Sequence, residues 1–312
     1  MTAASTPAST SDLAPGRGGQ FSQASLAEAL TAICAAAGLD PAGARLVRCT
    51  NNAVFMLATA PVVVRIVASN ALAHRVDKVV RVATWLAEHD VPAVRLAPRI
   101  TQPVRAGRYV ATVWESVPAG GRRPRGRDLG KLLRRLHELP EPPFRLAAWH
   151  PLDDVRRRIG EADGLEAAAL TFLLNRCDQV AERLEAVRFD QPPVLLHGDA
   201  HLGNLIPSST GAVLCDFDSA CVGPLEWDLT PLAVGVTRFG EPAGRYREFV
   251  RTYGVDVTRS PAFRVLREVR ELKLITSVLP ILSSRPEVRP ELLRRLADVQ
   301  RGVTTSRWAR YT

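Results

Sequence analysis

The feature that most limits the fold of this chain is a change of residue pattern before its middle. Up to residue 116, β-branched and apolar residues occur in short runs, and residues 62–67 have the composition of a strand buried on both faces. Residues 117–127 are rich in Pro, Gly and Arg, and the apolar spacing becomes helical after them. A strand-rich part followed by a helix-rich part predicts two lobes with a cleft between them.

Local patterns predict one helix before the strands and one within them. Ser25 and Glu28 have the spacing of a capping box ahead of an Ala/Leu-rich run that ends at Gly38. Residues 76–89 have apolar positions at near-helical spacing and stop before a Val-Pro pair. We expect a helix in each segment.

The strand pattern covers residues 46–67, with a polar break at residues 50–52, and returns at residues 109–114. Further helices are predicted over residues 128–137, 167–187, 245–253, 261–279 and 290–302. The predicted class is therefore α+β, with an antiparallel N-lobe sheet plus helix and a mainly helical C-lobe. The expected divisions are a disordered tail (1–24), an N-terminal nucleotide-binding lobe (25–116), a linker (117–127) and a C-terminal catalytic lobe (128–312).

Composition limits the function classes. The five cysteines are scattered, and neither a C-x-x-C pair nor a His at metal-ligand spacing accompanies them, so neither a disulfide framework nor a zinc site is expected. Residues 1–23 lack the apolar segment of a secretory signal, and the apolar runs fall short of the roughly 18 residues that span a bilayer. We expect a soluble, cytoplasmic protein without membrane contact.

The formal net charge is +9, and the basic residues are nearly all Arg, with Lys only at positions 78, 131 and 273. The positive charge is spread over short clusters, which favours a solvated surface with phosphate sites. Nucleic-acid binding stays open as a third hypothesis. It is disfavoured because no strand alternates basic and aromatic residues.

The most informative segment contains His197-Gly198-Asp199, then Asn204 five positions after Asp199, and Asp216-Phe217-Asp218 after a further short strand. The spacing from Asp199 to Asn204 equals that of the protein-kinase catalytic loop. Phosphoryl transfer needs an Asp at the acceptor hydroxyl and oxygen ligands for Mg²⁺. Each residue alone is also typical of an ordinary turn or a cap, but the ordered set predicts Asp199 as the catalytic residue and Asn204 and Asp216 as metal ligands.

Together with Gly223 and Asp228, this segment resembles the aminoglycoside phosphotransferase and choline kinase superfamily, which shares the protein-kinase fold. The resemblance covers about residues 46–300 and is strongest over residues 194–229. It implies a kinase that uses ATP or GTP with Mg²⁺ to phosphorylate a hydroxyl of a small molecule. It implies also that Asp228 braces the catalytic loop, that His197 holds this loop, and that Asp218 approaches a second metal or faces solvent.

The resemblance is weaker in the N-terminal part. It implies a basic residue on a central strand for the nucleotide phosphates, which here is Arg65, with Lys78 as a competitor. The helix Glu that holds this basic residue in the superfamily corresponds to Val79, and Asp77 points to another side of the helix. The missing Glu and the Arg at position 65 motivate an alternative, a non-catalytic nucleotide-binding pseudokinase or sensor.

Two further sets of residues are predicted from their positions. Asn52, in the first strand turn, is expected at the phosphates, and Trp114 and Glu115 are expected where the lobes meet the adenine edge. The acceptor candidates lie in the helical half: Glu226, Trp227, Arg270 and Glu271. A family that phosphorylates cationic aminoglycosides tends to have an acidic pocket, so the basic charge of this chain weakens the expectation of an antibiotic acceptor.

Overall fold

The computed structural model describes residues 23–49, 52–67 and 73–311. Five strands form one antiparallel sheet in the order β1-β2-β3-β5-β4. They are β1 (Arg45–Cys49), β2 (Asn52–Met56), β3 (Val62–Val67), β4 (Val104–Ala106) and β5 (Tyr109–Glu115). The predicted antiparallel N-terminal sheet is confirmed, whereas the predicted break at Thr50 and Asn51 lies outside the described residues.

A helix packs on each face of this sheet. Val64 and Ile66 of β3 are fully buried in a cluster with α1 (Gln23–Ala37). Because side chains alternate along a strand, Arg65 lies on the opposite face, where Val63 and Val67 contact α2 (Ala73–Glu88). The sheet thus points the strand arginine towards α2 and away from the α1 core.

The first helix corrects one prediction. It begins at Gln23, so Ser25 lies inside the helix and is not its N-cap residue. The predicted end is confirmed, since Gly38 follows the helix with φ of 67°, a left-handed conformation that favours glycine.

The rest of the chain is mainly helical and contains one large apolar core. Its helices are α3 (Gly126–His137), α4 (Asp153–Gly160), α5 (Ala167–Glu185), α6 (Glu226–Arg238), α7 (Ala243–Tyr253), α8 (Phe263–Thr276) and α9 (Arg289–Gln300). Two short antiparallel strand pairs lie among them: β6 (Val194–Leu196) with β9 (Cys221–Gly223), and β7 (Leu205–Ser208) with β8 (Gly211–Leu214).

Helices α3 and α7 pack at very short range. A Cβ atom at Gly126 would lie 1.9 Å from the carbonyl oxygen of Arg245, and one at Gly130 would lie 3.0 Å from that of Phe249. Two glycines four residues apart lie on the same side of α3, so the backbone of α7 can approach there. Helix α3 also packs against β6, so its contact with α7 fixes its position beside that strand.

The chain after α2 joins the sheet to the short strands. The Val94 N–H donates to the carbonyl of Leu214 at 2.9 Å, and the Leu214 N–H donates to the carbonyl of Pro92 at 2.9 Å. Leu214 ends β8, two residues before Asp216. The Asp216 segment is therefore fixed to the connection that leaves the N-terminal sheet.

Sequence patterns did not predict α6. This helix contains Pro231, which removes a backbone donor and ordinarily disfavours a helix interior. Tertiary packing outweighs this cost, because nearly the whole helix is buried. Residues 117–125 form no regular element, as their composition indicates. Within the described residues, no helix has the length and apolar character needed to cross a membrane.

Candidate active site

The carboxylate of Asp228, which is fully buried, binds the backbone of the loop after β6. It accepts the backbone N–H groups of His197 at 2.6 Å and Gly198 at 2.8 Å, and it lies 3.2 Å from Nε2 of His137. Gly198 has φ of 82°, and a Cβ there would lie 2.0 Å from the Ser219 carbonyl oxygen. The loop therefore needs both the carboxylate and the glycine to take this shape.

Two side chains connect this loop to its neighbours. The indole N–H of Trp227 donates to the carbonyl of Gly198 at 2.9 Å. His197 Nε2 lies 2.9 Å from the carbonyl of Cys215, the residue before Asp216. This arrangement agrees with the loop-holding role that the resemblance implies for His197.

Asp228→Ala is expected to lower the free energy of unfolding by about 3 kcal/mol or more, because two buried N–H groups and a buried histidine lose their acceptor. Chemical denaturation of the purified variant measures this change. Asp190→Ala, at an exposed position, is the control and should be nearly neutral. Equal stabilities of the two variants would contradict the bracing role.

Asp199 lies in this loop with 36% of its side chain exposed, so a small molecule can reach it. Its Oδ1 accepts from Nη1 of Arg270 at 2.5 Å, and Nε2 of His201 lies 3.7 Å from Oδ2. Burial by itself raises the pKa of Asp199, but Arg270, His201 and Lys273 outweigh burial and hold the pKa well below its usual value. The carboxylate is therefore ionised at neutral pH.

The three residues predicted to act together are joined through the backbone. The side-chain amide of Asn204 donates to the carbonyl of Asp199 at 2.9 Å. The N–H of Cys215, next to Asp216, donates to the carbonyl of Asn204 at 3.0 Å. Asp216 itself has a left-handed backbone, with φ of 70°, in which non-glycine residues are uncommon. Asp199, Asn204 and Asp216 thus belong to one hydrogen-bonded unit.

Arg65 reaches this unit from the sheet. Its Nη2 atom makes a short contact with Oδ2 of Asp218 and lies 3.8 Å from Oδ1 of Asp216. The amide of Asn52 donates to the same Oδ2 of Asp218 at 3.3 Å. Asp218 was expected to approach a second metal or to face solvent, but its carboxylate binds these two side chains of the sheet.

Helix α2 contacts the backbone of the same segment through Lys78. Nζ of Lys78 donates to the carbonyls of Asp218 at 2.6 Å and Ala220 at 3.0 Å. Burial lowers the pKa of Lys78, and the nearby Asp218 opposes this effect. Sequence reasoning placed Lys78 as a competitor for the phosphates, whereas in the structure it contacts the backbone of the segment from Asp218 to Ala220.

The neighbours of Lys78 explain why a helix carboxylate is missing. Val79 is buried beside Trp114, and Asp77 forms an exposed ion pair with Arg105 at 3.1 Å. The carboxylate that meets the strand arginine therefore comes from Asp218 in the loop, and the helix contributes a cation in place of an acid. The sequence signal that could have drawn attention to Lys78 was the rarity of lysine, since the chain has only three.

The donor set fits a hard divalent cation. Asp216 and Asp218 present partly exposed carboxylates, and the Asn204 bond to Asp199 uses the amide nitrogen, which leaves Oδ1 as a ligand. In the part of the chain that the structure describes, no three His, Cys, Asp or Glu side chains group as a metal site. One or two carboxylates with an amide oxygen and substrate phosphates are nonetheless typical of Mg²⁺.

All four predicted acceptor residues are buried, Arg270 to the same degree as Glu226. Trp227 is 1% exposed beneath the catalytic loop, and Glu271 is buried and accepts from Nε of Arg238 at 2.7 Å. Glu226 is buried near Tyr253. These placements argue against acceptor contacts by Glu226, Trp227 and Glu271, because each side chain faces protein. Arg270 alone among the four reaches Asp199.

The two residues predicted at the adenine edge end β5. The indole N–H of Trp114 donates to the hydroxyl of Thr112 at 2.7 Å, and the ring is buried. The side chain of Glu115 is exposed, while its N–H donates to the carbonyl of Arg95 at 2.9 Å. The Trp114 side chain therefore packs within the protein, and adenine recognition by this segment stays a prediction.

The sequence matches the model of the phosphotransferase enzyme family (APH) over residues 48–272. The match covers more than half of the chain, and the protein belongs to this family. The superfamily resemblance found in the motif around Asp199 is thereby confirmed. The sequence itself gives no match to a curated protein.

Solved structures share the protein-kinase-like fold. The amicoumacin kinase hAmiN, in complex with AMP-PNP and Ca²⁺, has a TM-score of 0.66 and 14% identity over 86% of this chain and 90% of that chain. Spectinomycin phosphotransferase APH(9)-Ia has a TM-score of 0.59 and 16% identity over 87% of this chain and 93% of that chain. A choline/ethanolamine kinase family protein from Mesorhizobium loti has a TM-score of 0.59 and 18% identity over 88% of this chain and 94% of that chain.

Proposed function

We propose that the protein is a kinase that transfers the γ-phosphoryl group of Mg·ATP or Mg·GTP to a hydroxyl of a small molecule. The observation that carries this proposal is the hydrogen-bonded unit of Asp199, Asn204 and Asp216, which is partly exposed and meets a strand arginine. Phosphoryl transfer depends on such positioning and on charge neutralisation more than on covalent chemistry by the protein.

In the proposed reaction the acceptor hydroxyl oxygen forms a bond to the γ-phosphorus, and the bond from this phosphorus to the β–γ bridging oxygen breaks. Asp199 orients the hydroxyl and takes its proton, which then passes to solvent. Because its pKa is depressed, Asp199 is a weak base and accepts the proton late, when the new bond has largely formed. Mg²⁺, held by Asp216 and Asn204, would neutralise phosphate charge, and Arg65 would add a fixed positive charge.

The pseudokinase alternative loses its main motive. It rested on the missing helix Glu and on the Arg at position 65; in place of the Glu, Asp218 supplies a carboxylate to Arg65, and Lys78 fixes the same loop to α2. The strand cation therefore has a partner that orients it. An enzyme and a pseudokinase are still separated only by turnover.

The test is product formation from Mg·ATP and Mg·GTP across a panel of neutral, cationic and anionic hydroxyl compounds. ADP or GDP release is measured, and mass spectrometry checks that the acceptor gains one phosphoryl group. Nucleotide binding without product from any acceptor, including metabolites from a cell extract, would favour the pseudokinase. Absence of nucleotide binding would contradict both.

Lys78→Met is expected to lower kcat/KM for the nucleotide by about 30-fold, since the variant loses two charged-donor hydrogen bonds to the segment that contains Asp216, each contributing about 1 kcal/mol. Steady-state kinetics with varied Mg·ATP measures the change. Lys131→Met changes an exposed lysine on α3 and is the matched control. Equal kinetics of the two variants would mean that Lys78 does not position this segment.

Arg270→Gln is expected to move the acidic limb of the pH–kcat profile to higher pH. The wild-type Asp199 has a depressed pKa and stays ionised on mild acidification; without Arg270 its pKa rises, so the active ionised form is lost at a higher pH. Arg264→Gln, at an exposed position on the same helix, should leave the profile unchanged. An unshifted limb in Arg270→Gln would show that Asp199 does not control it.

A further inference from the structure

We propose that the acceptor is an anion, a hydroxyl compound that also carries a phosphate or carboxylate group, and that Arg158, Arg270 and Lys273 bind that group beside Asp199. This inference rests on the proposed kinase function and narrows its substrate class. The pockets of enzymes that phosphorylate cationic compounds need the opposite charge, so the two possibilities are experimentally distinct.

The three cations come from two helices that pack against each other. Arg270 and Lys273 are three residues apart on α8 and therefore lie on one side of it, and α4 carries Arg158 against α8. Arg270 contacts Asp199 directly at 2.5 Å. Nζ of Lys273 lies 5.3 Å from the ring centroid of Trp227, the residue that holds the Gly198 carbonyl. Arg270 and Lys273 thus lie beside this loop, and Arg158 lies on the helix that packs against theirs.

Positive charge exceeds negative charge at this place. Arg270 pairs with Asp199, whereas among the described residues Arg158 and Lys273 form neither an ion pair nor a side-chain hydrogen bond. Burial lowers the pKa of Lys273 and that of Arg158; Asp199 opposes the change in both groups. Two partly buried cations without a side-chain partner keep their donors available, and a bound oxyanion would accept from them.

The other acid near this cluster is already engaged. Asp154 accepts from Nη2 of Arg75 at 2.9 Å and from Nη2 of Arg157 at 3.2 Å. Burial opposes ionisation, but Arg75 and the neighbouring arginines lower the pKa of Asp154 to about 2. Two carboxylates, Asp154 and Asp199, thus lie among five cations. Arg75 and Arg157 bind Asp154, and the remaining three are Arg158, Arg270 and Lys273.

The donor nucleotide has a separate set of cations. Arg65 on β3 and Lys78 on α2 contact the segment from Asp216 to Ala220. Arg158, Arg270 and Lys273 instead belong to the helical region. There Arg270 contacts Asp199, the residue proposed to act on the acceptor, and the charge of Asp199 opposes the lowering of the pKa of the other two by burial. The excess charge therefore lies with the acceptor, and a polycationic acceptor would be repelled there.

The test compares acceptors of different charge in two sets with related carbon skeletons: glucose, glucose 6-phosphate and gluconate, then glycerol, glycerol 3-phosphate and glycerate. Choline and kanamycin serve as cations. Within each matched set, an anionic member is expected to have a kcat/KM at least about tenfold above the neutral one. The phosphate and carboxylate arms show which oxyanion is preferred. A preference for neutral or cationic acceptors would overturn the inference while leaving the kinase proposal intact.

The variant Arg158→Gln/Lys273→Gln should lower the ratio of kcat/KM for an anionic acceptor to that for its neutral counterpart to about one. Arg156→Gln is the control, because Arg156 lies on the same helix but is exposed and pairs with Asp178 at 2.9 Å. Circular dichroism and thermal unfolding check that each variant folds. An advantage that survives the double substitution would contradict the assignment to these residues.

A binding measurement covers the case in which no panel member is phosphorylated. With Mg·AMP-PNP filling the nucleotide site, calorimetry of glycerol 3-phosphate and glycerate should detect binding to the wild type and at least about tenfold weaker binding to the double variant. No binding of either anion to the wild type, or equal binding to both proteins, overturns the inference. Weaker Mg·AMP-PNP affinity in the double variant assigns the cluster to the nucleotide and also overturns it, whereas failure of the wild type to bind Mg·AMP-PNP contradicts the kinase proposal itself.

Discussion

Asp199→Asn is expected to lower kcat by about 10²- to 10⁴-fold, with the affinity for Mg·nucleotide nearly unchanged. The substitution keeps the shape of the side chain but removes the charge that orients the acceptor hydroxyl and takes its proton. Asp199 is partly exposed and ionised, and Arg65 and Lys78 contact other residues, so the loss falls on the chemical step. Steady-state kinetics with the best acceptor measures kcat, and AMP-PNP competition measures nucleotide affinity.

Loss of the contact with Arg270 could change activity indirectly, and a matched control separates the two effects. Asp178→Asn breaks another carboxylate–arginine pair, with Arg156 at 2.9 Å, on an exposed surface. This control should retain nearly full activity. Full activity of Asp199→Asn would show that the carboxylate is not the group that acts on the hydroxyl.

The parts of the site that sequence could predict are those fixed by local spacing. Asp199 and Asn204 are five residues apart, and the side chain of one reaches the backbone of the other within the same loop. Asp216 follows a strand that pairs with the strand after Asn204, so the short connection brings the segments together. Such contacts depend on a few dihedral angles, and a residue pattern can specify them.

The parts that sequence could not predict depend on packing between distant elements. Arg270 reaches Asp199 from a helix 71 positions further along the chain, and Asp218 meets Arg65 across 153 positions. Charged positions on α8 have the spacing of an exposed salt-bridged helix, yet Glu271 is buried with Arg238 while Arg270 faces the loop. Which side of a helix faces the site is decided by its neighbours, and charge spacing does not report it.

The acceptor predictions show the same limit. Glu226 and Trp227 lie within the motif that ends in Asp228, and aromatic and acidic residues are suited to a ligand pocket. The first turn of α6 instead directs these side chains inward, because the Asp228 carboxylate must reach two backbone N–H groups of the catalytic loop. A buried anchor thus fixes the orientation of the residues beside it.

Asp216→Asn is expected to weaken Mg²⁺-dependent nucleotide affinity by about 10- to 100-fold and to lower turnover further, because a neutral amide is a poorer ligand for a hard cation. Calorimetric titration with ATP, with and without Mg²⁺, should show that the variant loses the metal-dependent part of the affinity and keeps the rest.

Asp218→Asn is the informative comparison, because this carboxylate lies two residues further along and contacts the same Arg65. If Asp218 mainly orients Arg65, its loss should weaken nucleotide affinity in the presence and absence of Mg²⁺ alike, since the arginine acts on the phosphates directly. If instead Asp218→Asn removes the metal-dependent part and Asp216→Asn does not, the two roles are exchanged, and the metal ligand in this loop is the carboxylate that now faces the sheet.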